Sequence, residues 1–226
     1  MIAFLDIETV CDIPDEHLPT VRHLAERTHR GPEPLCDEDF RKFVATSPWL
    51  ARIVCVGLIL RSDDGSEFER AYVGTEESIL QRTAVALEQV DRIVTFNGRG
   101  FDLPLLVNGY RRLGVACPSI VAQAWQEYRF KPDRGFDVSD VITGYGATKR
   151  PSLAEACIGL YLPNPKANGD GSDVGRLVEE GQFDKLQAYC LCDVRSTRDL
   201  YDVVWGQPKR RATKAEPVAA VADCPF

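Results

Sequence analysis

An α/β fold, with a mixed β-sheet flanked by helices, is what this sequence predicts. Three observations point to it. The chain opens on an apolar, β-prone segment, Ile2-Ala3-Phe4-Leu5-Asp6-Ile7-Glu8-Thr9. Two more β-rich runs follow and are joined by a hairpin signal. From there, short buried-looking strands alternate with helical stretches. The resulting order is three strands, a helix, then strand, helix, strand and helix.

The elements are justified in turn. The opening segment is followed by polar, Pro-containing sequence, so it reads as a buried strand. Residues 11–50 mix Pro, acids and short amphipathic stretches and predict one or two helices in an excursion from the sheet. Ile53–Leu60 reads as a central strand. The turn Asp63-Asp64-Gly65 leads as a hairpin into a third strand over Glu67–Val73. Thr75 with Ser78 and flanking acids opens a helix expected to run to Val90. Arg92–Asn97 is a short strand, Gly98-Arg99-Gly100 a turn, and a helix begins near Asp102–Pro104 and ends before Gly114. Phe136–Ile142 reads as a last strand, Ser152–Leu160 as a short helix, and Pro163–Gly171 as a loop. Helices near Asp173–Glu180 and over Phe183–Val204 complete a domain spanning residues 1–206. Beyond Gly206-Gln207-Pro208 the composition turns basic and Ala/Pro-rich, so residues 207–226 are expected to be a disordered tail.

Composition narrows the function classes. The 226 residues suffice for one domain with a sizeable core, and a hydrophobic share of 44% with 27% charged residues suits a globular protein. No apolar run approaches the roughly 20 residues that span a bilayer, and the N-terminus lacks a basic-then-apolar signal. The eight cysteines include no C-x-x-C pair, and several sit inside apolar runs, as in Val54-Cys55-Val56. They read as reduced thiols of a cytoplasmic protein, not as a disulfide frame or a zinc site. His17, His23 and His29 lack the i, i+4 spacing that grips one metal on a helix. The net charge of −7 argues against a large electrostatic DNA-binding surface, less so if the acids gather at a metal site. Basic residues cluster at Arg129, Lys131 and Arg134, at Lys149 and Arg150, and at Lys209, Arg210, Arg211 and Lys214. Each cluster is either a solvated face or a phosphate track.

Chemistry enters through the acids. Strand side chains alternate faces, so Asp6 and Glu8 point the same way, two rises of about 3.3 Å apart. Paired acids in a core strand repel and pay for desolvation unless a cation lies between them. A hard divalent ion such as Mg²⁺ or Mn²⁺ meets that need. A second signal is Phe96-Asn97-Gly98-Arg99-Gly100-Phe101-Asp102-Leu103-Pro104, where a strand ends in a Gly-bracketed turn and Asp102 meets a helix start. Asp102 is either an N-cap or a residue of a cleft at the strand's carboxyl end. The cap reading leaves Asn97 and the glycine turn unexplained. The third signal is Tyr189-Cys190-Leu191-Cys192-Asp193, where Tyr189 and Asp193 stand i and i+4 on one helix face.

Strand D-x-E, then N-x-x-x-F-D at a strand–helix junction, then Y-x-x-x-D on a late helix resembles the DEDD superfamily of 3′–5′ exonucleases. Tyr189 places the pattern in the tyrosine subgroup, since the histidine subgroup carries His where this chain has Ala188. Within it the chain looks most like stand-alone bacterial proteins related to the proofreading domain of family-B DNA polymerases. Leu105-Leu106 and the loop Pro165-Lys166-Ala167-Asn168-Gly169-Asp170-Gly171 carry that finer likeness. The resemblance covers roughly residues 1–205 and implies a ribonuclease H-like fold. A polymerase domain is not expected in a chain of this length.

The resemblance also implies roles. Asp6, Glu8, Asp102 and Asp193 would hold two divalent ions, Mg²⁺ or Mn²⁺, about 3.5–4 Å apart, which activate water and stabilise the leaving oxygen. Tyr189, with an ordinary pKa near 10, is a poor base, and the role left to it is orienting the attacking water. Thr9 and Asn97 would contact the terminal nucleotide. Phe101 either stacks on a base or is a core aromatic beneath the turn, and Lys166 either meets a phosphate or is a solvated loop lysine. Asp140, at the end of the last expected strand, is an outer acid left out of the metal set. The substrate implied is the 3′ end of a nucleic acid, single-stranded DNA ahead of RNA, released as nucleoside 5′-monophosphates. Two other readings compete. A haloacid-dehalogenase type of phosphotransferase also starts from an acid-bearing strand, but it needs D-x-D where this chain has Glu8. A catalytically silent nucleic-acid-binding module would not need all five positions.

Overall fold

The computed structural model describes residues 1–165 and 173–205. Five strands form one sheet: β1 (Ile2–Val10), β2 (Arg52–Arg61), β3 (Glu67–Val73), β4 (Arg92–Thr95) and β5 (Gly135–Asp137), in the order β3-β2-β1-β4-β5. β1 pairs antiparallel with β2 and parallel with β4, β2 pairs antiparallel with β3, and β4 pairs parallel with β5. This is the mixed sheet flanked by helices that the sequence predicts.

Alternation along β1 sorts its side chains between two cores. Ala3, Leu5 and Ile7 enter a cluster with residues of α3 (Glu76–Ala86), α4 (Asp102–Leu113) and α5 (Ser119–Gln126). Phe4 points to the other face, into a cluster with Val194, Leu200 and Tyr201 of α9 (Phe183–Val204) and Ala156 and Cys157 of α7 (Leu153–Gly159). The excursion after β1 forms α1 (Leu18–Thr28) and α2 (Asp37–Ala45), whose Val21, Ala25, Phe40 and Val44 make a small core of their own. Thr75 caps α3 by accepting from the Ser78 N–H at 3.3 Å, and Ser152 caps α7 in a reciprocal capping box with Glu155. α4 stops at Gly114, whose φ of 64° is the left-handed conformation glycine adopts without strain.

Four expectations need correcting. α3 ends at Ala86, short of Val90, because the Asp91 N–H already bonds the Met1 carbonyl at 3.0 Å and aligns the chain for β4. β4 ends at Thr95, because Asn97 adopts φ 66° and its N–H is taken by the Asp137 carboxylate at 2.8 Å. The expected strand Phe136–Ile142 contributes only its first two residues to β5 and then becomes α6 (Val138–Ile142). Asp137 causes the switch by accepting from the Ser139 N–H at 3.0 Å and from the Ser139 hydroxyl at 2.8 Å. α5 was not expected at all, although its buried Ile120, Val121 and Ala124 carry helical spacing behind Pro118. α8 (Val174–Glu179) and α9 lie where expected. Most of the Pro163–Gly171 loop and the whole 207–226 tail lie outside the described residues.

Candidate active site

Asp6 and Glu8 lie on the face of β1 that Phe4 shares with α9. Glu8 is buried and Asp6 half-buried, with protein packed densely around it. The residue opposite Asp6 on β2 is Gly57, and the register shifts just beyond Glu8. The extra residue is Val54 on β2, and pairing resumes at Thr9 with Ile53 and Val10 with Arg52.

Gly57 sets how closely α9 can approach. A Cβ at that position would lie 2.8 Å from Cys190 Sγ and 2.9 Å from Val194 Cγ2, inside any real contact distance. Without it, the helix turn carrying Tyr189, Cys190 and Asp193 settles against the first strand's acids. The Cys190 thiol donates to the Asp6 carbonyl oxygen at 3.6 Å and lies 4.0 Å from its Oδ2. One ligand atom each from Asp6, Glu8 and Cys190 fall within 4.8 Å of one another. Cys190 is a poor metal ligand, however. Its hydrogen bond with Cys55 and its burial push its thiol well above the ordinary value, so it stays protonated.

Asp102 arrives from the opposite helix layer. It is the first residue of α4, after Phe101 as N-cap, so the expectation that Asp102 is either the cap or a cleft residue resolves against the cap. Burial raises its carboxyl to about 7, with Asp137 adding to the rise and backbone N–H groups, including that of Ile7, opposing it. The Ile7 contact puts Asp102 beside the stretch between Asp6 and Glu8. Asp193 and Tyr189 are both buried on α9. Asp6 reads the whole arrangement. Its carboxyl is held well above the usual range, first by burial and then by Glu8, Asp102, Asp193 and Cys55. Acids from the first strand, the start of α4 and α9 are thus close enough to act on the Asp6 carboxyl, while the group whose ligand atoms fall within 4.8 Å is Asp6, Glu8 and Cys190.

Such a cluster is metastable when fully ionised, and either protons or a cation must offset the repulsion. The carboxylate donors suit a hard divalent ion, and Cys190, protonated, does not redirect the site towards a soft one. The residues present therefore fit a divalent metal.

The remaining expectations fare unevenly. The Thr9 hydroxyl donates to the Ala45 carbonyl oxygen at 2.7 Å, tying α2 to β1, so a nucleotide could use only its acceptor side. Asn97 sits at the carboxyl end of β4 with its side-chain oxygen accepting from Arg150 Nη1. Phe101 packs, half-buried, against the core cluster under α4, which favours the core-aromatic reading. Lys166 lies outside the described residues. Asp140 lies in no metal set: Arg129 Nη2 contacts its Oδ1 at 2.6 Å, Arg99 Nε its Oδ2 at 3.5 Å and Arg150 Nη2 its Oδ1 at 3.8 Å. Sequence reasoning missed Gly57 and Asp137. Asp137 also accepts from the N–H groups of Asn97 and Arg99, at 2.8 and 3.1 Å, and so shapes the turn before Asp102. A D-x-S pattern where a strand run ends was the available signal for Asp137.

Residues 42–205 match a family model described as a predicted 3′–5′ exonuclease related to the exonuclease domain of PolB. The match includes Asn97, Asp102, Tyr189 and Asp193 and begins after β1. No curated protein matches the chain. Among solved structures, the family B DNA polymerase from the hyperthermophilic archaeon Pyrobaculum calidifontis is similar, with TM-score 0.55 and 17% identity. The likeness covers 89% of this chain and 24% of that one, so this chain spans about a quarter of the polymerase's length. At that identity it shows the fold, which is ribonuclease H-like.

Proposed function

Since the chain belongs to the family of predicted 3′–5′ exonucleases related to the exonuclease domain of PolB, we propose that it is a metal-dependent nuclease that removes nucleoside 5′-monophosphates from the 3′ end of single-stranded DNA. The observation that supports this reading is the Asp6–Glu8 pair on β1, whose ligand atoms lie within 4.8 Å of each other, with Asp102 and Asp193 acting on the Asp6 carboxyl. Those four residues would hold two divalent ions, Mg²⁺ or Mn²⁺. When bound, the pair supplies an activated water and charge stabilisation at the attacking and leaving oxygens.

The chain's own residues do the rest. Tyr189, buried one helical turn from Asp193, orients the attacking water through its hydroxyl. Asn97, fixed at the strand end by Asp137, faces the terminal nucleotide with its amide. The Thr9 oxygen is a further candidate contact, Phe101 belongs to the core beneath the turn, and the assignment of Lys166 to a phosphate rests on the family likeness alone. The cluster's low dielectric strengthens each of these interactions relative to water.

The test is a time course on 3′- and 5′-labelled single-stranded DNA, duplex DNA and RNA, with and without Mn²⁺. Metal-dependent release of labelled mononucleotide from the 3′ end is expected, and Asp6→Ala or Asp193→Ala should lose it. Near-normal activity in either variant removes the two-metal assignment. Faster release from RNA than from DNA transfers the activity to RNA.

A further inference from the structure

The Arg99–Arg129–Arg150 cluster on Asp140 has no part in the chemistry just assigned. Two basic runs far apart in sequence, one around Arg129 and the other at Lys149-Arg150, meet there on one buried carboxylate. One acid faces three guanidinium groups, which leaves a local positive excess in a chain of net charge −7. Arg99 Nε and Asp140 Oδ2 face each other as an ion pair at 3.5 Å, and Arg129 Nε is buried without a hydrogen-bond partner.

Beside the arginines stand three aromatic rings. Tyr128 is 70% exposed and Phe130 54% exposed, and the two lie side by side. Their centroids are 5.4 Å apart, and Phe130 lies 4.8 Å from the half-buried Tyr145. The rings are tilted by 55° and 47°, so they do not cover each other's faces. Arg129 also lies over the Phe130 ring, 5.8 Å from its centroid. A chain of side-chain contacts links the patch to the acid cluster. Asp137 acts on Asp102 and holds the Asn97 N–H, Asn97 receives Arg150, and Arg150 reaches Asp140 beside Arg129.

We infer that Tyr128, Phe130 and Tyr145, with Arg129 and Arg150, form a platform for the unpaired strand leading into the acid cluster, its bases stacked on the rings and its phosphates held by the arginines. The inference rests on the nuclease reading for the direction of the strand, not for the platform itself. Ring faces accept any base, so the platform is indifferent to sequence but requires unstacked bases. It therefore makes the occupant single-stranded, and duplex ends poor ligands. The charge and the open rings fit no acidic protein surface as well, since such a surface offers carboxylates but no stacking planes.

The experiment measures binding of fluorescein-labelled oligothymidylates of increasing length by anisotropy in Ca²⁺. Turnover in Mn²⁺ is measured in parallel on the long strands and on the nitrophenyl ester of thymidine 5′-monophosphate, which reaches only the acid cluster. Tyr128→Ala and Phe130→Ala alter exposed rings, so thermal midpoints should stay at the wild-type value. Each should weaken long-strand binding by about tenfold, flatten its dependence on length, and lower the ratio of long-strand to ester turnover. Phe130→Trp should preserve all three. Wild-type affinity in both alanine variants overturns the platform, as does equal binding of blunt duplex, or a Phe130→Trp variant as weak as Phe130→Ala. A wild-type protein that fails to turn over the ester overturns the nuclease reading instead, and length-dependent binding still decides the platform.

Discussion

Removing divalent metal should make this protein's stability fall as pH rises, and the structure sets the size of the fall. Asp102 moves from an ordinary 3.8 to about 7 on folding, chiefly through burial. A carboxyl whose folded value is raised favours folding only while protonated. Its contribution is complete below 3.8 and is lost progressively up to about 7. Across that whole range the loss is about 4 kcal/mol. Between pH 5.5 and 8 the part remaining is about 2 kcal/mol, which at this chain length corresponds to a drop in Tm of about 4–8 °C. Asp6, raised by the same burial and by its acidic neighbours, adds in the same direction. The groups held below their ordinary values, Asp37, Asp64, Asp91, Glu67 and Glu155, lose their contribution only as pH falls through the carboxylate range, so this window separates the cluster from them, and the Met1 ammonium, raised from 8.0, enters only at its upper edge. The assay is thermal denaturation of chelator-treated protein from pH 5.5 to 8, repeated with saturating Mg²⁺ or Mn²⁺. Metal at about one hundred times its Kd should restore about 2.7 kcal/mol at pH 8 and much less at pH 5.5, where protons compete. Asp102→Asn should flatten the metal-free slope. A metal-free Tm that holds level or climbs across the window, or that ignores divalent ions at pH 8, would refute the clustering of ionisable acids.

Three further outcomes follow from the geometry. Gly57→Ala should push α9 off the sheet, costing about 1–3 kcal/mol by urea denaturation and at least tenfold in kcat/KM, and adding Cys190→Ala should recover part of both. Tyr189→Phe should slow turnover with metal affinity unchanged by calorimetry, whereas weakened metal binding would show that Tyr189 has the wrong role. Arg61→Met breaks the paired contacts to Asp202 at 2.6 and 2.9 Å and should lower stability by about 1–3 kcal/mol, and an unmoved denaturation midpoint would contradict it.

The parts of the site that the sequence announces are those whose geometry is local. Asp6 and Glu8 share a face because strands alternate, and Tyr189 and Asp193 share one because helices turn every 3.6 residues. Neither needs knowledge of a partner. What stayed hidden depends on partners far along the chain. Gly57 looks like a weak point in an apolar strand until Cys190 and Val194 are laid against it. Asp140 reads as one more acid at a strand end until three arginines from separate segments arrive. Asp137 was misread for a different reason. The apolar run Phe136–Ile142 suggested a strand, and the side-chain hydrogen bonds that turn it into a helix outweighed the apolar pattern.

A late helix that carries part of an acid pocket has a packing problem, because the turn facing the sheet has charged groups where apolar side chains would normally anchor it. Here the anchoring lies on both sides of that turn. Leu186 packs before it, Cys190 within it, and Val194, Leu200 and Tyr201 at its end and beyond. Towards the carboxyl end, Arg195 meets Glu69 at 2.6 Å, Arg198 meets Glu67 at 2.7 Å, and Asp202 meets Arg61 at 2.6 Å, fastening α9 to β2 and β3. Replacing a whole pair by apolar side chains would change stability little, whereas removing one partner strands the other's charge, so the pairs chiefly fix the helix's register. Since the helix is held from outside the pocket, the acids can repel one another without unseating it. The metal-free protein should therefore stay folded, at reduced Tm, with its donors already assembled.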